Sequence, residues 1–269
     1  MGYQGYKALR VRAEAGIAVA SIDHPPLNLL DLELIGDLDR LGREVEADAD
    51  VRVLVLASAD PDFFIAHADV NLILALAPAE PPTQPSGFHR MVERFRTMPK
   101  ATIAKIEGIC RGGGSELALS MDMRFAALGK ALLAQPEVAV GILPGGSGTQ
   151  RLPRLLGRGR ALEVALGGAD FPADLAERYG WVNRALPPAE LGPFVERLAQ
   201  RIASFPAGAI ARTKAAVLAA ETGVEAGLTL EARLFEELVA DPEARRRMQG
   251  FLAAGGQTRE VERRLGQVL

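Results

Sequence analysis

Three consecutive glycines, Gly112, Gly113 and Gly114, are followed closely by a carboxylate, Glu116, and a second carboxylate stands in Gln135-Pro136-Glu137-Val138. A glycine run between an apolar strand and a helix leaves backbone N–H groups unpaired, and the helix dipole adds to their attraction for negative charge. Such a turn can hold an anion or an oxyanion, although a bare triple glycine reads most simply as a tight turn. Both glutamates lie in otherwise apolar stretches, where a charge seldom sits without a partner or a task. Taken singly, each also reads as a helix-end or solvated carboxylate. Asp122 reads as a structural hydrogen-bond acceptor at the end of an element.

Other chemistries are excluded by their missing parts. No GxGxxG opens a helix and no GxxxxGK[ST] is present, so both nucleotide fingerprints fail. Gly145-Gly146-Ser147-Gly148-Thr149 misses the GxSxG nucleophile elbow because Thr149 stands where glycine is required. The single Cys110 provides no disulfide framework, and His24, His67 and His89 are too scattered for a metal-binding motif.

The elements that must position these residues follow from periodicity. Ala8 to Ala13, Gly16 to Ile22 and Val51 to Leu56 read as strands, with a helix between the second and third carrying Leu34, Leu38, Leu41 and Val45 on one face. Ala101 to Ile106 is a further strand leading into the glycine run, and helices are expected from Ser115 to Met121 and from Thr149 onward. Alternating strands and helices predict an α/β core, and from Pro188 the pattern is almost wholly helical. The predicted division is a core over residues 1–190 and a helical C-terminal region over 191–269. Ala77 to Ser86 carries four prolines and no periodicity, which predicts a mobile surface loop near the site entrance.

The chain has 269 residues, 48% of them hydrophobic and 24% charged, the balance of a folded globular protein with one large domain. Its 31 basic and 34 acidic residues give a net charge of -3, which offers no field for nucleic acid. No apolar run is long enough to cross a bilayer and the N-terminus lacks a signal core, so a cytoplasmic, reducing setting is expected and no membrane partner.

The stretch from Gly108 to Asp122, centred on Arg111-Gly112-Gly113-Gly114-Ser115-Glu116, resembles the glycine-rich motif of the crotonase (enoyl-CoA hydratase/isomerase) superfamily. Gln135 to Val138, Gly141 to Arg154, His24 to Asn28 and Phe64 to Val70 extend the resemblance in the same order, over about residues 8 to 240. The resemblance implies a spiral of ββα units, with the C-terminal helices serving oligomerisation and covering the site, and trimers or dimers of trimers. It implies an acyl-CoA thioester as substrate, with coenzyme A part of that substrate and no metal or other cofactor. By motif position, the backbone amides of Ala68 and Gly113 form an oxyanion hole, Glu116 handles water and Glu137 transfers the α-proton. Ala66, His67, Asp69, Gly112, Pro136 and Gly145 fall on substrate-binding positions. The implied reaction is reversible hydration of a 2-enoyl-CoA. The alternatives are double-bond isomerisation or other enolate chemistry on the same scaffold, or a CoA-binding scaffold without catalysis.

Three departures accompany the resemblance. His67 stands where the family usually has glycine and is expected to point away from the thioester, shaping the site without transferring the proton. Asn71 replaces a lysine that often contacts the CoA phosphates. Gly250 to Arg259 lacks the usual lysine-rich ending and reads as an amphipathic surface helix, with Arg259, Arg263 and Arg264 as weaker candidates for the lysine's role.

Overall fold

A computed structural model describes residues 2–76, 83–219 and 224–265. Strands β1 (Leu9–Glu14) and β2 (Ile17–Ile22) form a hairpin whose turn places Ala15 and Gly16 at positive φ, 50° and 82°. Helix α1 (Leu32–Ala47) starts where the Asp31 side chain accepts from Leu34 N at 2.9 Å, and buries Leu34, Leu38, Leu41 and Val45 at helical spacing. There follow β3 (Val53–Ser58), β4 (Phe63–Ile65), α2 (Val70–Leu74) and α3 (Gly87–Thr97). After them come β5 (Ala101–Ile106), β6 (Ile109–Arg111), α4 (Gly113–Leu119), β7 (Met123–Ala127) and β8 (Leu132–Ala134). Each turn of the chain thus contributes one strand to each of two sheets: β3, β5 and β7 to a six-stranded sheet in order β1-β2-β3-β5-β7-β10, and β4, β6 and β8 to a four-stranded sheet in order β4-β6-β8-β9. This repetition is the ββα spiral implied by the resemblance, and all of these neighbouring pairs within each trio are parallel.

A 3-10 turn (Glu137–Val140), α5 (Gly148–Leu156), α6 (Arg158–Gly167), β9 (Phe171–Pro172), α7 (Ala173–Tyr179) and β10 (Arg184–Leu186) complete the core. The helical region consists of α8 (Pro188–Ala203), α9 (Ala207–Leu218), α10 (Val224–Ala240), α11 (Pro242–Ala253) and α12 (Arg259–Glu262). Strand alternation explains how both faces of the larger sheet are covered. Leu54 and Leu56 face the main core with α1 and α3, while Val53 and Val55 face Leu191, Val195 and Ala199 of α8. The last three helices pack elsewhere: Val239, Met248, Phe251 and Val261 cluster with Val70, Val140 and Ile142, behind α2 and the 3-10 turn.

Two local expectations need correction. Helix α4 begins at Gly113 rather than Ser115, because the glycines are themselves its first turn. They let it lie against β4, where a Cβ on Gly114 would come within 2.5 Å of the Ile65 Cβ. The segment Gly250 to Arg259 is not one helix: α11 stops at Ala253, and Gly255 and Gln257 at positive φ turn the chain before α12. Of the proline-rich stretch Ala77 to Ser86, residues 77–82 lie outside the described residues, and its end, Ser86, caps α3.

Gly108 links β5 to β6 beneath the backbone of the preceding turn, where a Cβ would meet the Asp62 carbonyl oxygen at 2.3 Å and the Phe63 nitrogen at 2.8 Å. Gly108→Ala must therefore move backbone rather than a side chain, at a cost of about 1–3 kcal/mol. The single tryptophan, Trp181, is fully buried and reports the transition by its emission. Denaturant titration of this variant with an unchanged midpoint would contradict the tight approach.

Candidate active site

The three parallel strands of the smaller sheet end side by side, since Ile65 pairs with Cys110 and Arg111 with Ala134. The segments leaving their C-terminal ends are therefore neighbours: Ala66 to Asp69 after β4, Gly112 to Glu116 after β6, and Gln135 to Glu137 after β8. Ligands of parallel sheets are commonly bound at this edge. A cavity of about 480 Å³ opens there, within the usual range for a small-molecule site. Its apolar walls include Leu30, Ile35, Ile73, Phe88 and Phe235, and Glu116, Glu137, Ala68 and Gly113 all line it.

Glu116 lies on the first turn of α4 and is 3% exposed. Its Oε1 accepts hydrogen bonds from Gly146 N and Gly148 N, each at 2.8 Å. The second glycine cluster thus has a definite task, to present two amides to a buried carboxylate. It must consist of glycine to do so, because a Cβ on Gly146 would stand 2.3 Å from Glu116 Oε2. Glu137 opens the 3-10 turn and is half-buried. With the Gln135 amide turned so that its nitrogen faces the carboxylate, Gln135 donates to Glu137 Oε1 at 2.9 Å and Oε2 at 3.1 Å, while its oxygen accepts from Ser115 Oγ at 3.2 Å. Gly112, at φ 50°, approaches the same carboxylate: a Cβ there would lie 3.0 Å from Glu137 Oε1.

The backbones of Ala68 and Gly113 adjoin, a Cβ on Gly113 falling 3.6 Å from Ala68 Cβ and 4.0 Å from Ala68 N. Leu30 makes a parallel bridge opposite Ala68, but its bonds are Leu30 N to His67 O at 3.0 Å and Asp69 N to Leu30 O at 3.1 Å. The bridge fixes the loop while leaving the Ala68 N–H outside the ladder. Gly113 N–H belongs to the first turn of α4, where amides have no intrahelical acceptor.

His67, Gly112, Pro136 and Gly145 reach the cavity wall, whereas Ala66 and Asp69 do not. Ala66 is packed under the loop with Leu27, Phe63 and Ile109. Asp69 caps α2 by accepting from Asn71 N at 2.9 Å, and takes a hydrogen bond from Gln257 Nε2 at 2.8 Å. The His67 ring is turned to the Ala68 carbonyl and to Glu262. Arg259 bonds Pro26 O, Asp60 and Asp62, and Arg263 also pairs with Asp62, so these arginines hold the C-terminal segment to the core.

Ser86, the end of the stretch expected near the entrance, does line the cavity, whereas sequence reasoning missed Phe88 and His89 of α3, and Phe235 and Phe251 of the C-terminal helices. Their apolar spacing marks only a packing face, and nothing local tells which face meets a cavity. A second cavity, of about 670 Å³, lies beneath α9 and contains neither glutamate. It is lined by Asp122 and Lys214, which pair at 2.9 Å. Burial pushes the Asp122 carboxyl up and the Lys214 amine down. Asp122 also accepts from Thr102 N at 2.8 Å, the structural role expected of it.

Residues 12–257 match the family model for enoyl-CoA hydratase/isomerase. The chain is 31% identical over 241 residues to the short-chain-enoyl-CoA hydratase of Clostridium acetobutylicum, covering 89% of this chain and 92% of that one. It is 32% identical over 249 residues to the crotonyl-CoA hydratase of Syntrophomonas wolfei, covering 92% and 95%. Among solved structures, one from Streptomyces avermitilis superposes with a TM-score of 0.91 at 38% identity, covering 98% of this chain and 97% of that chain. Fold, motif order and full-length similarity agree: the chain belongs to the enoyl-CoA hydratase/isomerase family.

Proposed function

We propose that the protein hydrates a 2-enoyl-CoA reversibly to a 3-hydroxyacyl-CoA. The observation that carries this reading is the meeting of two carboxylates and two adjoining backbone segments on one apolar cavity. Water attacks the β-carbon as Glu116 takes its proton, and electron density moves through the conjugated system onto the thioester oxygen. The amides of Ala68 and Gly113 receive that charge, which is present in the enolate and weak in the ground state, so they favour the transition state. Glu137 then gives its proton to the α-carbon, and collapse of the enolate restores the carbonyl. Two hydrogen bonds to one oxygen of Glu116 stabilise its ionised form, as a base for water requires.

Addition of water oxygen to the β-carbon and two proton transfers complete this reaction with no electron acceptor or donor, so no cofactor is invoked beyond the CoA carried by the substrate. Leu30, Phe88 and Phe235 supply apolar contact for the acyl chain. Assembly as a trimer or as paired trimers is proposed from the family, and the exposed Leu162 and Leu166 of α6 offer apolar surface for it. Among the described residues no helix is long and apolar enough to cross a membrane.

Loss of enoyl absorbance from crotonyl-CoA tests the reaction directly. Glu116→Gln and Glu137→Gln keep shape but remove the group that accepts the water proton and the group that gives the α-proton, and each is expected to lower turnover by about 100- to 10,000-fold with far smaller changes in affinity. The double variant should lose much less than the product of the single losses. Full activity in either single variant would sink the two-glutamate mechanism.

Gly146→Ala tests how Glu116 is held. The added methyl must displace either the carboxylate or the Phe88 ring, whose Cε1 would lie 2.5 Å away. Turnover on crotonyl-CoA is expected to fall about 100-fold, the scale for misplacing a reacting group by an ångström. Parent-like turnover would show that the Gly146 contact does not set the position of the base.

A further inference from the structure

Glu262 is fully buried although it stands in the last described helix, far in sequence from either glutamate of the cavity. Its Oε1 bonds His67 Nε2 at 2.8 Å and accepts from Gln257 N at 2.7 Å. Its backbone oxygen accepts from Arg111 Nη1 at 2.7 Å, and its Oε2 lies 3.7 Å from the same nitrogen. His67 continues the chain through Nδ1, which donates to the Ala68 carbonyl at 2.8 Å, and its ring meets Phe251 edge-on at 5.7 Å between centroids. A carbonyl only accepts, so Nδ1 is the donor there, and with Nε2 engaged by Glu262 neither ring nitrogen is turned to substrate. Arg111 is fully buried and is held in place by a two-pronged contact with Asp170, at 2.7 and 2.8 Å.

The positions of these two partners matter. His67 immediately precedes Ala68, and Arg111 precedes Gly112 and Gly113. One residue of α12 therefore grips both backbone segments whose amides face the cavity. Burial raises the Glu262 carboxyl, but the His67 hydrogen bond and charge, the Gln257 amide and Arg111 outweigh it and hold the group below the ordinary carboxylate range. An ionised group this deep in the protein costs several kcal/mol unless it is paired. Here Oε1 takes both hydrogen bonds, while Oε2 makes none and has only the Arg111 charge at 3.7 Å.

We propose that Glu262 is a positioning residue for the oxyanion site, clamping the Ala68 and Gly113 amides at their working separation through His67 and Arg111. The clamp rests on the reading of Ala68 and Gly113 as the oxyanion donors. It gives His67 a purpose that glycine at that position lacks: the imidazole is the link by which the C-terminal segment sets the loop.

The test uses the full-length protein and a crotonyl-CoA labelled at the thioester carbonyl, whose stretching frequency drops when the carbonyl is polarised by bound donors. Glu262→Ala removes the side-chain half of the clamp, the bond to His67, and leaves the backbone bond from Arg111 to residue 262 in place. His67→Phe keeps a ring against Phe251 but bonds neither Glu262 nor Ala68, and serves if Glu262→Ala does not fold. Each is expected to lower kcat about 10- to 100-fold with KM within about threefold, and to return most of the carbonyl shift toward its value in water. Glu262→Gln, which keeps an oxygen for His67, should retain more of both than Glu262→Ala. A parent-like carbonyl shift in the variants, with the shift present in the parent, overturns the clamp and leaves the oxyanion reading standing. Absence of the shift in the parent overturns the oxyanion reading, and the clamp falls with it.

Discussion

An ionisable carboxylate buried to 3% exposure constrains everything around it. Glu116 cannot stay charged in an apolar wall unless donors come to it, and side-chain donors would occupy the space that substrate needs. Backbone amides solve this at no volume, provided the residues that carry them have no side chain in the way. The glycines at 146 and 148 answer that need, and Gly145 beside them is glycine for another reason, the Phe235 ring 2.2 Å from where its Cβ would be. Ser147 between them accepts a φ of 116°, strain that a non-glycine residue tolerates only where surrounding contacts hold it. Here it is buried, and its Oγ accepts from Arg151 Nε at 3.0 Å.

The same economy runs through the rest of the site. The spiral brings the ends of β4, β6 and β8 together, so that three segments distant in sequence emerge at one edge. Two of them offer main-chain amides and two offer carboxylates, the middle segment supplying one of each. A bridge to Leu30 and the start of α4 fix the positions of these amides, and donors held in this way need little reorganisation to meet a developing negative charge. At Gly145, Gly146 and Gly148 an added Cβ would meet a neighbour within 3.0 Å, so these positions have no room for a side chain unless the neighbour moves.

Much of this was legible in the sequence for a physical reason. Leu34, Leu38, Leu41 and Val45, and the strand Ala101 to Ile106, carry their structure in local periodicity, and both were placed correctly. The glycine run, Glu116 and Glu137 were visible because buried charge and repeated glycine are rare and point to close backbone approach. What stayed hidden depends on contacts between distant segments. Nothing near Gly145 tells that its neighbours serve Glu116, and nothing near Glu262 tells that it serves His67, 195 residues away. The helix start at Gly113 was misplaced because glycine's poor helix propensity is overruled by packing against Ile65.

The C-terminal arginines complete the argument about how the segment behaves. Arg259 and Arg263 reach Asp60 and Asp62 in the turn before β4, holding the Asp62 carboxyl below its usual range, while Arg264 pairs with Glu260 within α12. These pairs are partly exposed, and each contributes about 1 kcal/mol or less. An arginine that turned outward to a CoA phosphate would exchange one such pair for another at little cost. Glu262 has no comparable freedom, since its side chain is buried and its loss leaves His67 Nε2 without its partner, whereas Arg111 keeps Asp170 and the backbone oxygen of residue 262. The segment is therefore pinned at a buried carboxylate whose partner, His67, lines the cavity, and steered by its surface arginines.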